Sequence, residues 1–205
     1  GGSSFDPKVG ASWNLSDNFK LRGSASTTFR GPPSSFLSGT GTALAFISPA
    51  LAFKALDTTG NPSLESETAV AINLGAIYQT DAFYGSIDYW SFDFENPFQI
   101  EDGNQLVGAY GANDCAEGGT GVGTAACDIL RARLTPLGTS IAGVQRIQRF
   151  IVNGSDIKTS GIDFVAEYAW MEAAGGDLSI GVQGTYNLEY ESEDFVSREG
   201  LVLQA

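Results

Sequence analysis

Few residues of this chain could carry out chemistry, and their types exclude most catalytic designs. The sequence contains no His, which rules out Ser-His-Asp and Cys-His triads, His-ligated zinc and a histidine general base. Its two Cys are too few for a four-thiolate zinc site. The Gly-rich stretch 118–123 does not have the spacing of a dinucleotide- or phosphate-binding loop. We therefore expect no enzyme, no cofactor and no metal site.

Cys115 and Cys127 are separated by eleven residues that include the Gly-rich stretch. In an exported protein, which meets an oxidising compartment, this pair predicts a disulfide within a loop. Closing a loop of this size would stabilise the fold by roughly 3 kcal/mol through the entropy of the unfolded chain. Two free thiols and a metal-binding pair are the alternatives.

Four arginines cluster in a chain that is poor in basic residues. The net charge of -13 excludes a nucleic-acid partner, because binding to phosphates needs clustered Lys and Arg. A guanidinium binds carboxylate or phosphate in bidentate geometry, so Arg131 and Arg133 are candidate ligand-binding residues, with Arg146 and Arg149 nearby. All four could instead pair with Asp and Glu of neighbouring loops, and we favour this pairing. Glu101 is interpreted as part of a solvated acidic loop.

Strict alternation of apolar and polar residues is the dominant pattern. Leu178, Ile180 and Val182 fall on one parity, and Ser179 and Gln183 fall on the other. Because side chains alternate between the faces of a strand, this pattern predicts one apolar and one polar face. Tyr186 and Tyr190 continue the apolar parity towards one strand end, where they resemble an interfacial aromatic girdle. Basic residues of the polar parity are expected to point into a lumen; they are Lys20, Arg22 and Arg30.

One strand-like segment keeps to no single parity. Phe83 and Tyr89 share one parity, whereas Trp90, Phe92 and Phe94 take the other. A β-bulge would explain the change. Trp90 and Phe92 are candidate ligand-binding residues, since an aromatic platform could accept a sugar or a chelate ring, and a rim girdle explains them equally well.

The spacing of strands and loops favours an all-β fold, an antiparallel transmembrane β-barrel. The clean runs are about 10–14 residues, longer than the usual 5–6 of globular strands and long enough to span a membrane. Short turns alternate with long external loops at about 31–66 and 97–145, as in outer-membrane barrels. A soluble β-sandwich or soluble barrel is the alternative. Six long strands are expected, at about 5–15, 19–30, 67–79, 83–95, 146–170 and 177–191.

Several segments, taken in order, resemble the late barrel of TonB-dependent outer-membrane receptors. The resemblance covers about residues 5–190, and its segments are 5–13, 21–24, 27–32, 60–68, 88–90, 152–154 and 158–163. It implies that residues 1–205 are the carboxyl-terminal part of a plugged barrel of about 22 strands. Nothing in the sequence matches the plug domain or the energy-coupling segment of that family.

The resemblance also implies a function and a set of partners. It implies a bacterial outer-membrane transporter that takes up a scarce ligand, such as an iron chelate, cobalamin or an oligosaccharide, through external loops and plug. The inner-membrane TonB energising complex, the plug, the remaining barrel strands, membrane lipid and lipopolysaccharide would be its partners. Lys20, Arg22 and Arg30 would contact the plug. A passive porin or structural β-barrel is the alternative function.

Overall fold

The computed structural model describes residues 4–136, 140–173 and 175–203. Its helices are α1 (Ser34–Ser38), α2 (Gly103–Ala112) and α3 (Ala125–Arg133), with 3-10 turns at Ser48–Ala50 and Ile141–Gly143. Its strands are β1 (Lys8–Asn14), β2 (Phe19–Arg30), β3 (Thr40–Ile47), β4 (Ala52–Thr59), β5 (Glu67–Gln79), β6 (Phe83–Glu95), β7 (Phe98–Ile100), β8 (Leu134–Thr135), β9 (Arg146–Asn153), β10 (Ile157–Ala173), β11 (Gly176–Ser192), β12 (Phe195–Val196) and β13 (Val202–Leu203).

Two compact units make up the chain. The first, which we call the six-stranded sheet, is formed by residues 1–30, 68–95 and 156–192. The second, which we call the loop unit, is formed by residues 31–67, 96–155 and 193–205.

The six-stranded sheet has the order β1-β2-β5-β6-β10-β11. Pairing is antiparallel between β1 and β2, between β5 and β6, and on both sides of β10. β10 and β11 each have 17 residues, far longer than the usual globular strand. The expected all-β fold is thus confirmed.

The segment 146–170 is not one strand, and this expectation was wrong. β9 ends at Asn153 and belongs to the loop unit, whereas β10 begins at Ile157 and belongs to the six-stranded sheet. The intervening residues 154–156 are Gly, Ser and Asp, which favour a loop, and they lie between two runs of apolar residues that the prediction had joined into one strand.

The two segments expected as external loops have a core of their own. β3, β4, β9 and β7 form a sheet in that order, with β4 and β9 parallel, and α2 and α3 pack beside it. A third segment after β11 joins the same core through Leu203, which is 1% exposed. The core also includes the fully buried Ile47, Leu106, Leu130 and Ile147. Residues 137–139, inside the second expected loop, lie outside the described residues.

The two helices of this core are capped and cross-linked. Asp102 caps α2 by accepting a hydrogen bond from the backbone N–H of Asn104, and Thr124 caps α3 in the same way through Cys127. The Cys115–Cys127 disulfide joins the segment after α2 to the first turn of α3, which confirms the predicted pairing. Among the described residues, no helix is both long and apolar enough to cross a membrane.

Glu101 is the buried charge around which the loop unit is organised. Its side chain is fully buried and accepts hydrogen bonds from Arg133 Nη1 at 2.6 Å, from the Phe150 backbone at 2.8 Å and from the Arg198 backbone at 2.9 Å. Arg133 also forms an ion pair with Glu199. The carboxylate therefore joins the start of α2, the end of α3, β9 and the segment after β11.

We predict that Glu101→Gln opens the segment 195–203. The amide cannot accept all three hydrogen bonds and leaves Arg133 partly uncompensated in the core, which should cost about 3 kcal/mol. Hydrogen exchange of residues 195–203 in the full-length protein measures the opening. The exposed Glu117→Gln removes the same charge from the same unit and is the control. Equal protection in both variants would contradict the assigned role of Glu101.

Candidate functional site

The strand register divides the six-stranded sheet into an apolar and a polar face. Directly paired residues share a face, so Leu74, Tyr89 and Ile162 form one lateral row of the apolar face. On β11, Leu178 and Val182 are 50% and 58% exposed, and therefore lie on an open surface rather than in a core. Open apolar surface of this kind is what the lipid-contacting wall of a barrel requires.

An ion pair spans three strands on the polar face. Arg22 of β2 reaches across Gly75 of β5 and donates two hydrogen bonds to Asp88 of β6, at 2.8 Å from Nε and 2.6 Å from Nη2. Asp88 is 8% exposed, although it lies on the polar face. A Cβ atom at residue 75 would overlap the Asp88 carboxylate, so this contact requires glycine. The geometry is bidentate, the strongest form of this pair.

A second carboxylate continues the polar row on the next strand. Asp163 of β10 pairs directly with Asp88, and its Oδ1 accepts a hydrogen bond from the Thr185 hydroxyl at 2.7 Å. Arg22 and Asp88 are paired charges, and Thr185 stabilises the neighbouring carboxylate, so the row is a fixed polar band of the wall.

The three basic residues expected in the lumen all lie on β2. Lys20 is exposed and lines a depression with Gln79 and Tyr84 of the polar face. Arg22 and Arg30 share its parity on the same strand. Their contact with a plug stays a prediction.

Trp90 and Phe92 of β6 lie on the polar face, and the bulge expected in β6 is not there. The pairing of β6 with β5 runs from Thr68–Glu95 to Gln79–Tyr84 without a shift. Trp90 and Phe92 therefore share the face of Asp88. The aromatic residues change parity along β6 because the lower and upper parts of each face carry different residue types. The backbone register does not change.

β11 does contain a bulge, and it moves a tyrosine to the polar face. Asn187 pairs with Gly161 and Glu189 pairs with Ser160, so Leu188 is an extra residue between them. Beyond the bulge, Tyr190 pairs with Thr159 of the polar face. The placement of Tyr190 on the apolar parity was therefore wrong.

Arg131 and Arg133 are not brought together as a binding pair. Arg133 is 3% exposed and bound to Glu101, which removes it from contact with a ligand and corrects its selection as a candidate. The arrangement supports the pairing of loop arginines with groups of the chain itself. Arg131 donates to the Cys115 carbonyl at 2.6 Å, Arg146 to the Asp57 carboxylate at 2.8 and 2.6 Å, and Arg149 to the Thr58 hydroxyl at 2.8 Å. Ligand contact by Arg131 stays a prediction.

Two carboxylates of the loop unit have local partners that favour their charged forms. The Thr42 hydroxyl, and after it Arg146, lowers the pKa of Asp57 below its ordinary value. Hydrogen bonds from the Thr120 backbone and hydroxyl lower the pKa of Asp114. Within the part of the chain that the structure describes, no group of acidic or Cys side chains could hold a metal ion.

The two-faced antiparallel sheet is the arrangement expected of the wall of an outer-membrane β-barrel. Residues 1–203 match the family described as TonB dependent receptor-like, beta-barrel, and the chain belongs to this family. It is a family of outer-membrane proteins. The comparison with curated proteins finds no match.

Solved structures of receptors have the same fold. One is the siderophore receptor PirA from Acinetobacter baumannii, with 16% identity and a TM-score of 0.54, covering 99% of this chain and 25% of that one. Another is a mutant of the ferric enterobactin receptor PfeA from Pseudomonas aeruginosa in complex with enterobactin, with 17% identity and a TM-score of 0.53, covering 90% and 22%. The chain spans about a quarter of the length of these relatives.

We predict that Gly75→Ala disrupts the ion pair between Arg22 and Asp88. The added methyl group overlaps the Asp88 carboxylate and should lower the unfolding free energy by about 1–2 kcal/mol. Gly10→Ala is the control, because its Cβ would meet only ordinary contacts, the nearest at 3.6 Å. The measurement is the urea midpoint of the full-length protein in lipid.

The same penalty should largely disappear in an Asp88→Ala background, because the carboxylate is gone and the Arg22 side chain, whose Nε would be 3.0 Å from the added Cβ, is free to move away. A Gly75→Ala penalty of unchanged size in that background would show that the glycine serves the backbone and not the ion pair.

Proposed function

We propose that this chain supplies part of the barrel wall of an outer-membrane receptor that takes up a ferric siderophore with energy from the TonB complex. The observation that carries the proposal is the two-faced sheet, with open apolar side chains on one face and the Arg22–Asp88 pair on the other. Membership of the TonB-dependent receptor-like family supports the mechanism of uptake. The names of the matched receptors, one for ferric enterobactin and one for a siderophore, favour an iron chelate over cobalamin or an oligosaccharide.

The edges of the six-stranded sheet support a larger closed barrel. β1 and β11 are its edge strands, and within the described residues each has one neighbour in the sheet. In lipid, an unpaired strand edge leaves backbone groups unsatisfied at a cost of several kcal/mol each. In the proposed receptor the remaining strands close against these edges. The apolar face then contacts membrane lipid and lipopolysaccharide, and the polar face contacts the plug.

The loop unit supports a role in capturing the ligand outside the cell. Its three segments follow β2, β6 and β11 in the chain. The disulfide and the Glu101 contacts restrict the conformations of the second and third segments. A fixed external surface loses less conformational entropy when a ligand binds than independent loops would.

A matched pair of substitutions tests which face contacts lipid. Val182 and Gln183 are neighbours on β11 and point to opposite faces. Lysine in place of Val182 should destabilise the protein in lipid by about 2–4 kcal/mol, because a charge in the middle of the lipid face is costly. Lysine in place of Gln183 should have little effect. Urea midpoints in lipid vesicles measure both, and equal losses would contradict the assignment of the faces.

Uptake by cells that express the full-length protein tests the transport proposal. Under iron starvation we expect accumulation of radiolabelled iron from ferric siderophores, and no accumulation of labelled cobalamin or oligosaccharide. Accumulation should stop when the TonB complex is deleted, with cells lacking the receptor as the control. Uptake that persists without the TonB complex would favour a passive porin. Uptake of cobalamin or oligosaccharide alone would reject the ligand class.

A further inference from the structure

The β3–β4 hairpin of the loop unit has one buried and one exposed apolar face. On the inner face, Ile47 and Leu56 are 0% and 5% exposed and belong to the core that includes α2. On the outer face, Leu44 and Phe53 are 76% and 69% exposed, and the Phe46 ring meets the Phe53 ring edge-on with 5.6 Å between centroids. The hairpin therefore displays large apolar side chains on one face while its other face is fixed by packing.

The turn of the hairpin adds a leucine in an unfavourable backbone conformation. Leu51 lies in the left-handed region, with φ 49° and ψ 34°, and is 82% exposed. Glycine is the usual residue in this conformation, because a Cβ atom is disfavoured there. The turn is anchored by a hydrogen bond from the Ser48 backbone N–H to Asn104 Oδ1 at 2.9 Å. An exposed leucine kept at such a position favours a role in contact with another molecule.

β3 is also an edge strand with a free side. Within the described residues β3 pairs only with β4, in an antiparallel register from Thr40–Thr59 to Ile47–Ala52. Its eight residues include no charged residue and no proline, the residues that usually keep an edge strand from pairing with another chain. The free edge therefore offers backbone N–H and C=O groups beside the exposed apolar side chains. We call the four large apolar residues of this hairpin the hairpin patch; they are Leu44, Phe46, Leu51 and Phe53.

The hairpin patch is uncharged, although the chain has a net charge of -13. In the paired rows of the outer face, the charged residues are Asp57 and Arg146, which form a bidentate ion pair at 2.8 and 2.6 Å. Lys54 lies on the inner face, where it is 4% exposed and donates to the Ala142 carbonyl at 2.8 Å. Two acidic chains repel each other, so an uncharged patch is where two copies can meet. The patch also lacks the free Lys and Arg with which interfacial segments bind anionic lipid.

The area of the hairpin patch suits a pair of identical chains. Its four residues expose roughly 500 Å² in one copy. Two copies would then bury about 1,000 Å², the size at which a specific interface begins. Antiparallel pairing of β3 with its own copy brings the same residues together from both sides, as a twofold axis requires.

We propose that the β3 edge and the hairpin patch bind a second copy of this protein. The two β3 strands pair antiparallel across a twofold axis, and the two hairpin patches cover each other. The partner is thus an identical chain and not a lipid surface or a different protein. This inference goes beyond the proposed function, because it requires neither a ligand nor transport.

A charge exchange at Leu44 tests the pairing in the full-length protein. Energy transfer between donor-labelled and acceptor-labelled protein in lipid vesicles measures self-association. Leu44→Lys and Leu44→Glu each place like charges on the two paired edges and should raise the dissociation constant at least about tenfold. A mixture of the lysine variant with the glutamate variant should recover most of the wild-type transfer, because opposite charges then meet. Val122→Lys adds a charge at an exposed apolar residue of the same unit and is the control.

Leu51→Gly separates contact with a partner from folding. Glycine adopts the left-handed conformation without strain, so the urea midpoint of the full-length protein should not fall. Loss of the exposed side chain should weaken self-association about threefold.

Absence of energy transfer in the wild type would overturn the proposal, and so would transfer that Leu44→Lys leaves unchanged or that the mixture of charged variants does not recover. Hydrogen exchange of residues 40–47 then identifies the occupant of the edge. Protected amides without self-association would mean that another part of the same protein covers β3. Protection that is present in vesicles and lost in detergent would mean that lipid covers it. Either result would reject a second copy as the partner.

Discussion

The hydrogen-bond register between strands is the constraint on which the six-stranded sheet depends. Register decides which side chains share a face, and a shift of one residue moves every side chain to the opposite face. In a barrel wall those faces meet different surroundings, so a slip would bring Arg22 and Asp88 towards lipid and Val182 into the lumen. The contact of Arg22 with Asp88 across Gly75 exists in one register only. It therefore adds specificity of pairing to whatever stability it supplies.

The loop unit is held by a different kind of interaction. A single buried carboxylate, Glu101 of the segment 96–155, accepts hydrogen bonds from Arg133 and Phe150 of the same segment and from Arg198 of the segment 193–205. The guanidinium groups of Arg133 and Arg198 both lie over the Phe150 ring, at 4.8 Å and 4.5 Å from its centroid. Because a buried charge is costly unless it is fully paired, the ordering of these two segments is coupled. The disulfide restricts only the second segment and cannot replace this connection.

The sequence was informative where one physical requirement acts on every residue, and uninformative where a single contact decides. Alternation of side chains follows from strand geometry, so the two faces were predictable. The family was predicted separately, from the resemblance of several segments taken in order. The role of Glu101 was not, because a carboxylate in a Gly-rich, acidic stretch has the same appearance whether it is solvated or buried. The cluster of arginines was also misleading. Arg131 and Arg133 are close in sequence and both lie in the last turn of α3, but they bind different partners. The break between β9 and β10 has a sequence signal that the prediction did not use, because residues 153–156 are Asn, Gly, Ser and Asp, which are typical of a loop.

β6 and β11 show how two strands reach the same arrangement by different means. Below the row that joins Ser91, Ser160 and Glu189, both strands place apolar side chains on the apolar face. Above that row, the same face carries polar side chains, and the aromatic rings lie on the opposite, polar face. β6 achieves the exchange through its residues alone, with an unbroken register, whereas β11 achieves it through an extra residue at Leu188. Because β6 and β11 reach this exchange by different means, we infer that the surroundings of the sheet require it. In the proposed receptor, those surroundings would be hydrocarbon outside the wall below this row and water above it.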